Sequence, residues 1–147
     1  MALNSKTAAK QDFLPLMREL ARAYQAFAAY DAQGYKDSGL TVSQADVIFT
    51  LGNTDGMTFK EIGEKTLITK GTLTGVIDRL ESKDLVKRVA FPDDRRCTTV
   101  TLTAKGTRLF EKEFPRQIAY LKDRFDQLTK ADSRAAQQAL RKIRKLF

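Results

Sequence analysis

The feature that most constrains this chain is a change of hydrophobic period inside residues 58–103. Thr58-Phe59-Lys60-Glu61 is a capping box, in which a hydroxyl and a carboxylate satisfy each other's exposed backbone amides. It opens a short helix with Phe59 and Ile62 turned inward. A turn at Thr66-Leu67-Ile68 follows, and Thr69 caps a second helix that runs to about Ser82. On that helix Leu73, Val76, Ile77 and Leu80 recur at helical spacing and form its buried face. After Leu85 the period becomes two. Val86 to Phe91 and Thr98 to Leu102 read as strands, joined by the polar, turn-forming Pro92-Asp93-Asp94-Arg95-Arg96. A helix, a turn, a helix and a hairpin in that order make a winged helix-turn-helix, with the second helix at about 69–82 and the wing at about 86–102.

The flanking segments are helical and carry narrow apolar seams. From about Lys10 to Tyr35, Phe13, Met17, Leu20, Tyr24 and Phe27 fall on one stripe, which Gly34 and Ser38-Gly39 bring to an end. Thr41 or Ser43 caps the next helix, whose Val42, Ala45, Val47, Ile48 and Leu51 run to a breaker at residues 52–56. Thr103 caps a further helix with Phe110, Phe114, Ile118, Leu121, Phe125 and Leu128 in near-heptad spacing; Pro115 inside it should kink or divide it. Thr129 caps the last, with Ala136, Leu140, Ile143 and Phe147 on one side. Seams this narrow suit partner helices. The expected fold is mainly α with a small β-hairpin wing, dimerised through the N- and C-terminal helices. Its expected parts are a dimerisation helix at 1–36, the winged helix-turn-helix at 37–106, and C-terminal dimerisation helices at 107–147.

Composition narrows the chemistry. The chain has no histidine and one cysteine, Cys97, so neither a Ser-His-Asp site nor a zinc finger can be built. It has no GxGxxG or P-loop pattern, so no enzyme activity, metal or cofactor is expected. The formal net charge of +8 suggests a polyanionic partner, nucleic acid or an anionic membrane surface. No apolar run approaches the roughly 18 residues of a membrane span, and Met1–Lys10 lacks a secretory pattern. The expected setting is the cytoplasm, without a membrane partner.

Two constellations suit double-stranded DNA. The outward face of the helix at 69–82 offers Thr69, Lys70, Gly71, Thr72, Thr74, Gly75 and Arg79, small or polar groups that fit a major groove. Thr69, Lys70 and Thr72 sit where free amides attract phosphate. Gly71 and Gly75 are poor helix formers, which suggests close approach of a partner. At the wing, Arg95 and Arg96 beside Asp93 and Asp94 can enter a minor groove, held by a carboxylate, with Lys87 and Arg88 at phosphates. The plain alternatives are a solvated helix face and a soluble turn.

Charge alone does not single this module out. Residues 58–108 carry a net +4, residues 109–147 a net +5 and residues 1–57 a net −1. The basic run at residues 141–145 reads first as a solvated helical face. Cys97, after two arginines, reads as a small hairpin residue before a redox switch. Phe13, Tyr24, Tyr30 and Phe49 are core aromatics or the lining of a small-molecule cleft between the terminal helices and the winged helix.

The run Met57–Gly63, then Gly71-Thr72-Leu73-Thr74-Gly75-Val76-Ile77-Asp78-Arg79-Leu80 through Val86, resembles the MarR family of bacterial regulators. So do Asp94-Arg95-Arg96 followed by Val100–Gly106, and the entry Leu40–Gln44. The resemblance implies a homodimer with interleaved terminal helices and two winged helices on a pseudo-palindrome. It implies Arg96 in the minor groove, oriented by Asp94, and base contacts from Lys70–Gly75. It implies a repressor released by a small aromatic or phenolic effector. Two departures stand out: the cysteine lies in the wing rather than the N-terminal helix, and Asp84 stands where the family usually has glycine. The rival reading is a protein-interaction module that uses the winged helix as a docking surface.

Overall fold

The computed structural model describes residues 2–66, 68–94 and 96–147. In chain order these form α1 (Ser5–Ala8), α2 (Leu14–Gly34), α3 (Val42–Leu51), β1 (Met57–Thr58), α4 (Phe59–Thr66), α5 (Lys70–Ser82), β2 (Val86–Ala90), β3 (Thr98–Leu102), α6 (Ala104–Phe125) and α7 (Lys130–Arg144). The fold is mainly helical with one small antiparallel sheet. Among the described residues no helix is long and apolar enough to cross a membrane.

The core lies inside the winged helix and is closed by side chains of α6, with Phe110 the most deeply buried. Ala45, Val47, Ile48 and Leu51 of α3 meet Ile62 of α4, Leu73, Val76, Ile77 and Leu80 of α5, and Val86 and Val100 of the sheet. Phe110 of α6 covers this cluster and passes so close to Gly52 that a Cβ there would lie 2.2 Å from its ring. The junction after α5 is equally tight. Asp84 adopts φ +58°, the left-handed turn expected where glycine is usual. The Thr103 hydroxyl donates to the Asp84 carbonyl at 2.6 Å, the Thr103 amide to Leu85 at 3.1 Å, and Lys105 Nζ to Lys83 at 3.0 Å.

Several expectations need correction. The first long helix starts at Leu14, not Lys10, with Pro15 in its first turn where a missing amide proton does no harm. A separate short helix precedes it, capped by Asn4. The wing is a hairpin, with Val86 opposite Leu102 and Ala90 opposite Thr98, but it belongs to a three-stranded sheet ordered β1-β3-β2. Met57 and Thr58 add the third strand opposite Val100 and Thr99; two residues are too few to show an alternating pattern. Gly56, at φ +111°, turns the chain into it. Pro115 does not divide α6, which runs unbroken from Ala104 to Phe125. Glu111 and Pro115 are both exposed, so water can satisfy the carbonyl that proline leaves unpaired.

A polar joint fixes α6 to the end of α2. The rings of Tyr30 and Tyr120 stack at 4.3 Å, and each hydroxyl donates to the other residue's carbonyl, at 3.2 and 3.1 Å. Gln117 Nε2 donates to the carbonyl and the carboxylate of Asp31, and Arg116 to the Gly34 carbonyl at 3.0 Å. Arg116 also pairs with the buried Glu113 at 2.6 Å. On the α3 side, burial and then the neighbouring Asp31 push the Asp46 carboxyl above its ordinary range. The folded chain therefore binds that proton more tightly than the unfolded chain, and stability falls as pH rises from the ordinary carboxylate value through the raised one. Asp46→Asn should stabilise the protein at pH 7 and lose that advantage below about pH 4. Urea unfolding at both pH values checks this; an equal effect at both would contradict it.

Candidate nucleic-acid interface

The second helix of the motif divides cleanly into two faces. Leu73, Val76, Ile77 and Leu80 are at most 4% exposed, while Lys70, Gly71, Thr72, Thr74, Asp78 and Arg79 face solvent. Gly75 is half-buried. A Cβ added at Gly71 or Gly75 would meet nothing within 4 Å, and neither has a positive φ. Nothing inside the chain therefore requires glycine at either position. Yet each costs the helix up to about 1 kcal/mol relative to alanine.

The start of this helix differs from expectation. Thr69 has the extended conformation of an N-cap, but its side chain makes no capping bond. Its hydroxyl donates instead to the Thr72 hydroxyl at 3.1 Å. The Thr72 amide donates to the Thr69 carbonyl at 3.0 Å, which leaves the Lys70 and Gly71 amides without an acceptor among the described residues and open to an outside one. By contrast the capping box at Thr58 forms as read: the Thr58 amide donates to Glu61 at 2.8 Å and the Glu61 amide to the Thr58 hydroxyl at 3.2 Å.

At the wing, Asp94 organises the turn through the backbone. Its Oδ1 accepts from the Arg96 amide at 2.9 Å, and its carbonyl accepts from the Cys97 amide at 3.1 Å. The Phe91 amide in turn donates to the Cys97 carbonyl at 2.9 Å, closing the hairpin. The carboxylate thereby fixes where the Arg96 side chain leaves the chain, and it does so at the amide rather than the guanidinium. Arg96 lines a groove with Thr58, Phe59, Lys60, Arg88 and the exposed Cys97, so the space between wing and α4 is basic. Arg95 lies outside the described residues.

Lys87 and Arg88 alternate across β2 and meet different surroundings. Lys87 is exposed. Arg88 turns toward α5, pairs with Asp78, lies 3.1 Å from Glu81, and sits over the Phe59 ring at 5.5 Å. Asp78 and Glu81 stand three residues apart on a helix, hence on one face, which was the available signal. Their arginine partner was not legible from spacing.

The four aromatics considered for a cleft are dispersed. Phe13 lines an apolar groove with Leu16, Met17, Leu20, Ile143 and Phe147. Tyr24 is 70% exposed. Phe49 packs among Tyr35, Phe110 and Phe114, beside the core. Tyr30, stacked on Tyr120, lines a groove with Phe27, Phe125, Leu128 and Arg124, whose guanidinium lies 5.0 Å from the Tyr30 ring.

Because the Asp94 carboxylate reaches only within the tip, to the Arg96 amide and at 3.7 Å to the Cys97 thiol, Asp94→Ala should loosen only the turn. The Arg96 amide should exchange with solvent faster, while the unfolding free energy changes by less than about 1 kcal/mol. Unchanged exchange at Arg96 would show that the hairpin alone sets the tip.

A family model described as the MarR family matches residues 38–96. The HTH-type transcriptional regulator MhqR of Bacillus subtilis (strain 168) is 29% identical over 130 residues, covering 88% of this chain and 90% of that protein. The structure of Bordetella bronchiseptica BpsR, whose DNA binding is regulated by 6-hydroxynicotinic acid, is 32% identical. It superposes with a TM-score of 0.76 over 88% of this chain and 98% of that one. A mutant MarR from E. coli, solved with operator DNA, shares the fold at a TM-score of 0.79 and 23% identity, over 91% of this chain and 99% of that one. These relatives are transcription regulators, not enzymes. With its second helix and wing on one buried core, the chain belongs to the MarR family of DNA-binding transcriptional regulators.

Proposed function

We propose that the chain acts as a homodimer on a pseudo-palindromic operator, represses transcription there, and releases the DNA when a small aromatic effector binds. In this reading lysines and arginines neutralise phosphates and release counterions, which makes affinity steeply salt-dependent. Thr69, Lys70, Gly71, Thr72, Thr74, Gly75 and Arg79 enter the major groove. Lys87 meets backbone phosphate, and Arg95 and Arg96 reach the minor groove.

The observation that carries the DNA contact is the pair of glycines on the exposed face of α5. Neither fills a tight place in the isolated chain, so their helix cost is best explained by the close approach of an outside surface. Pairing is supported by the apolar stripe of α2 and the chain's end. Phe13, Leu16 and Met17 are more than half exposed, and Phe147 is fully exposed. Such a surface favours burial against a second copy. The operator complex of E. coli MarR and the ligand-regulated DNA binding of BpsR are properties of those proteins, and they make the corresponding properties reasonable here. The groove with Tyr30, Phe27, Phe125 and Arg124 has the chemistry for an aromatic anion: ring faces and one cation.

The test exploits opposite signs. Gly71→Ala and Gly75→Ala should each raise the unfolding free energy by about 0.5–1 kcal/mol. Both should weaken binding to a duplex that the wild-type protein selects from a random library, measured by fluorescence anisotropy. Stabilisation with unchanged or tighter binding would remove the major-groove role of this face.

A further inference from the structure

Three elements of the winged helix meet on one guanidinium. Arg88 starts on β2, pairs with Asp78 and Glu81 on α5, and covers Phe59 of α4. Its side chain is 34% exposed. Asp78 is bound through Nη2 and Glu81 through Nη1, so both terminal nitrogens of the fork already have carboxylate partners. Lys87, its neighbour on the opposite face of β2, makes no ion pair among the described residues. Two carboxylates on the exposed side of a DNA-reading helix repel phosphate. Their presence needs a reason, and Arg88 supplies one.

We propose that Arg88 is a positioning residue: a strut that sets the angle of the wing to α5, so that wing tip and helix reach DNA in one geometry. It is not a phosphate ligand. Asp78 and Glu81 are the other half of the strut, and Phe59 is the surface it braces against. The inference rests on the DNA-reading function proposed above, and its test reads the strut both with and without DNA.

Arg88→Lys keeps the charge but loses the planar fork that spans two carboxylates and an aromatic ring. On the selected duplex the strut predicts about tenfold weaker binding. Binding to competitor DNA and the slope of log K against log salt should not change. Asp78→Asn combined with Glu81→Gln removes two negative charges next to DNA, yet should weaken selected binding by a similar factor. Adding Arg88→Lys to that pair should cost little more. A phosphate ligand predicts the reverse: near wild-type binding for Arg88→Lys, tighter binding for the Asn/Gln pair, and a salt slope shallower by about 1 for Arg88→Ala. Any of those three results overturns the strut. Without DNA, amides of Val86–Ala90 and Thr98–Leu102 should exchange faster in Arg88→Lys, while those of α3 keep their protection. Unchanged exchange in the wing overturns it as well. If the wild-type protein selects no duplex, the DNA-reading function fails and the exchange result alone decides the strut.

Discussion

Burial of one side of α5 governs the rest of the molecule. Leu73, Val76, Ile77 and Leu80 are almost entirely out of water, and each such side chain contributes about 1.5–3 kcal/mol of transfer free energy. Two glycines on the same helix cost at most about 2 kcal/mol together, so burial wins by a wide margin. That surplus lets the opposite face be chosen for something other than helix stability. It also fixes which way that face points, because the four side chains engage α3, α4 and the sheet at once. Phe110 over Gly52 then ties the same core to α6.

From this anchor the basic groups acquire distinct roles. Arg96 leaves a turn held by Asp94, at the rim of a basic groove. Arg88 is committed to carboxylates of α5. The net charge does not distinguish these arginines; their surroundings do. At the far end, the Tyr30–Tyr120 pair and the Gln117–Asp31 bonds join the terminal helices to each other next to the winged helix. A ligand lodged beside Tyr30, as the proposed function has it, would press on this joint.

Much of this was legible in the sequence because helices and strands announce themselves within a few residues. The change of period after Leu85 located α5, β2 and β3, and the Thr58 capping box located α4. The buried face of α5 followed from spacing alone. What escaped was non-local or too short. Met57 and Thr58 make a strand only because Val100 and Thr99 lie beside them. The tyrosine pair joins residues ninety positions apart, and Arg88 finds Asp78 across a turn. Pro115 does not divide α6 for a different reason: a proline on an exposed helix face leaves a carbonyl that water can serve. The four aromatics grouped as a cleft were grouped by type, and type does not place residues together.

The central claim is that α5 and the wing form one reading head and that two heads act at fixed spacing. Footprinting the selected duplex with hydroxyl radicals, which read the sugars along the minor groove, together with dimethyl sulfate, which reads guanine N7 in the major groove, tests it most directly. The account predicts two symmetric sets of protection on one face of the DNA, about one helical turn or a whole multiple of it apart. In each, a protected major groove would be flanked by a protected minor groove. A single unpaired footprint, or protection confined to one groove, would contradict it.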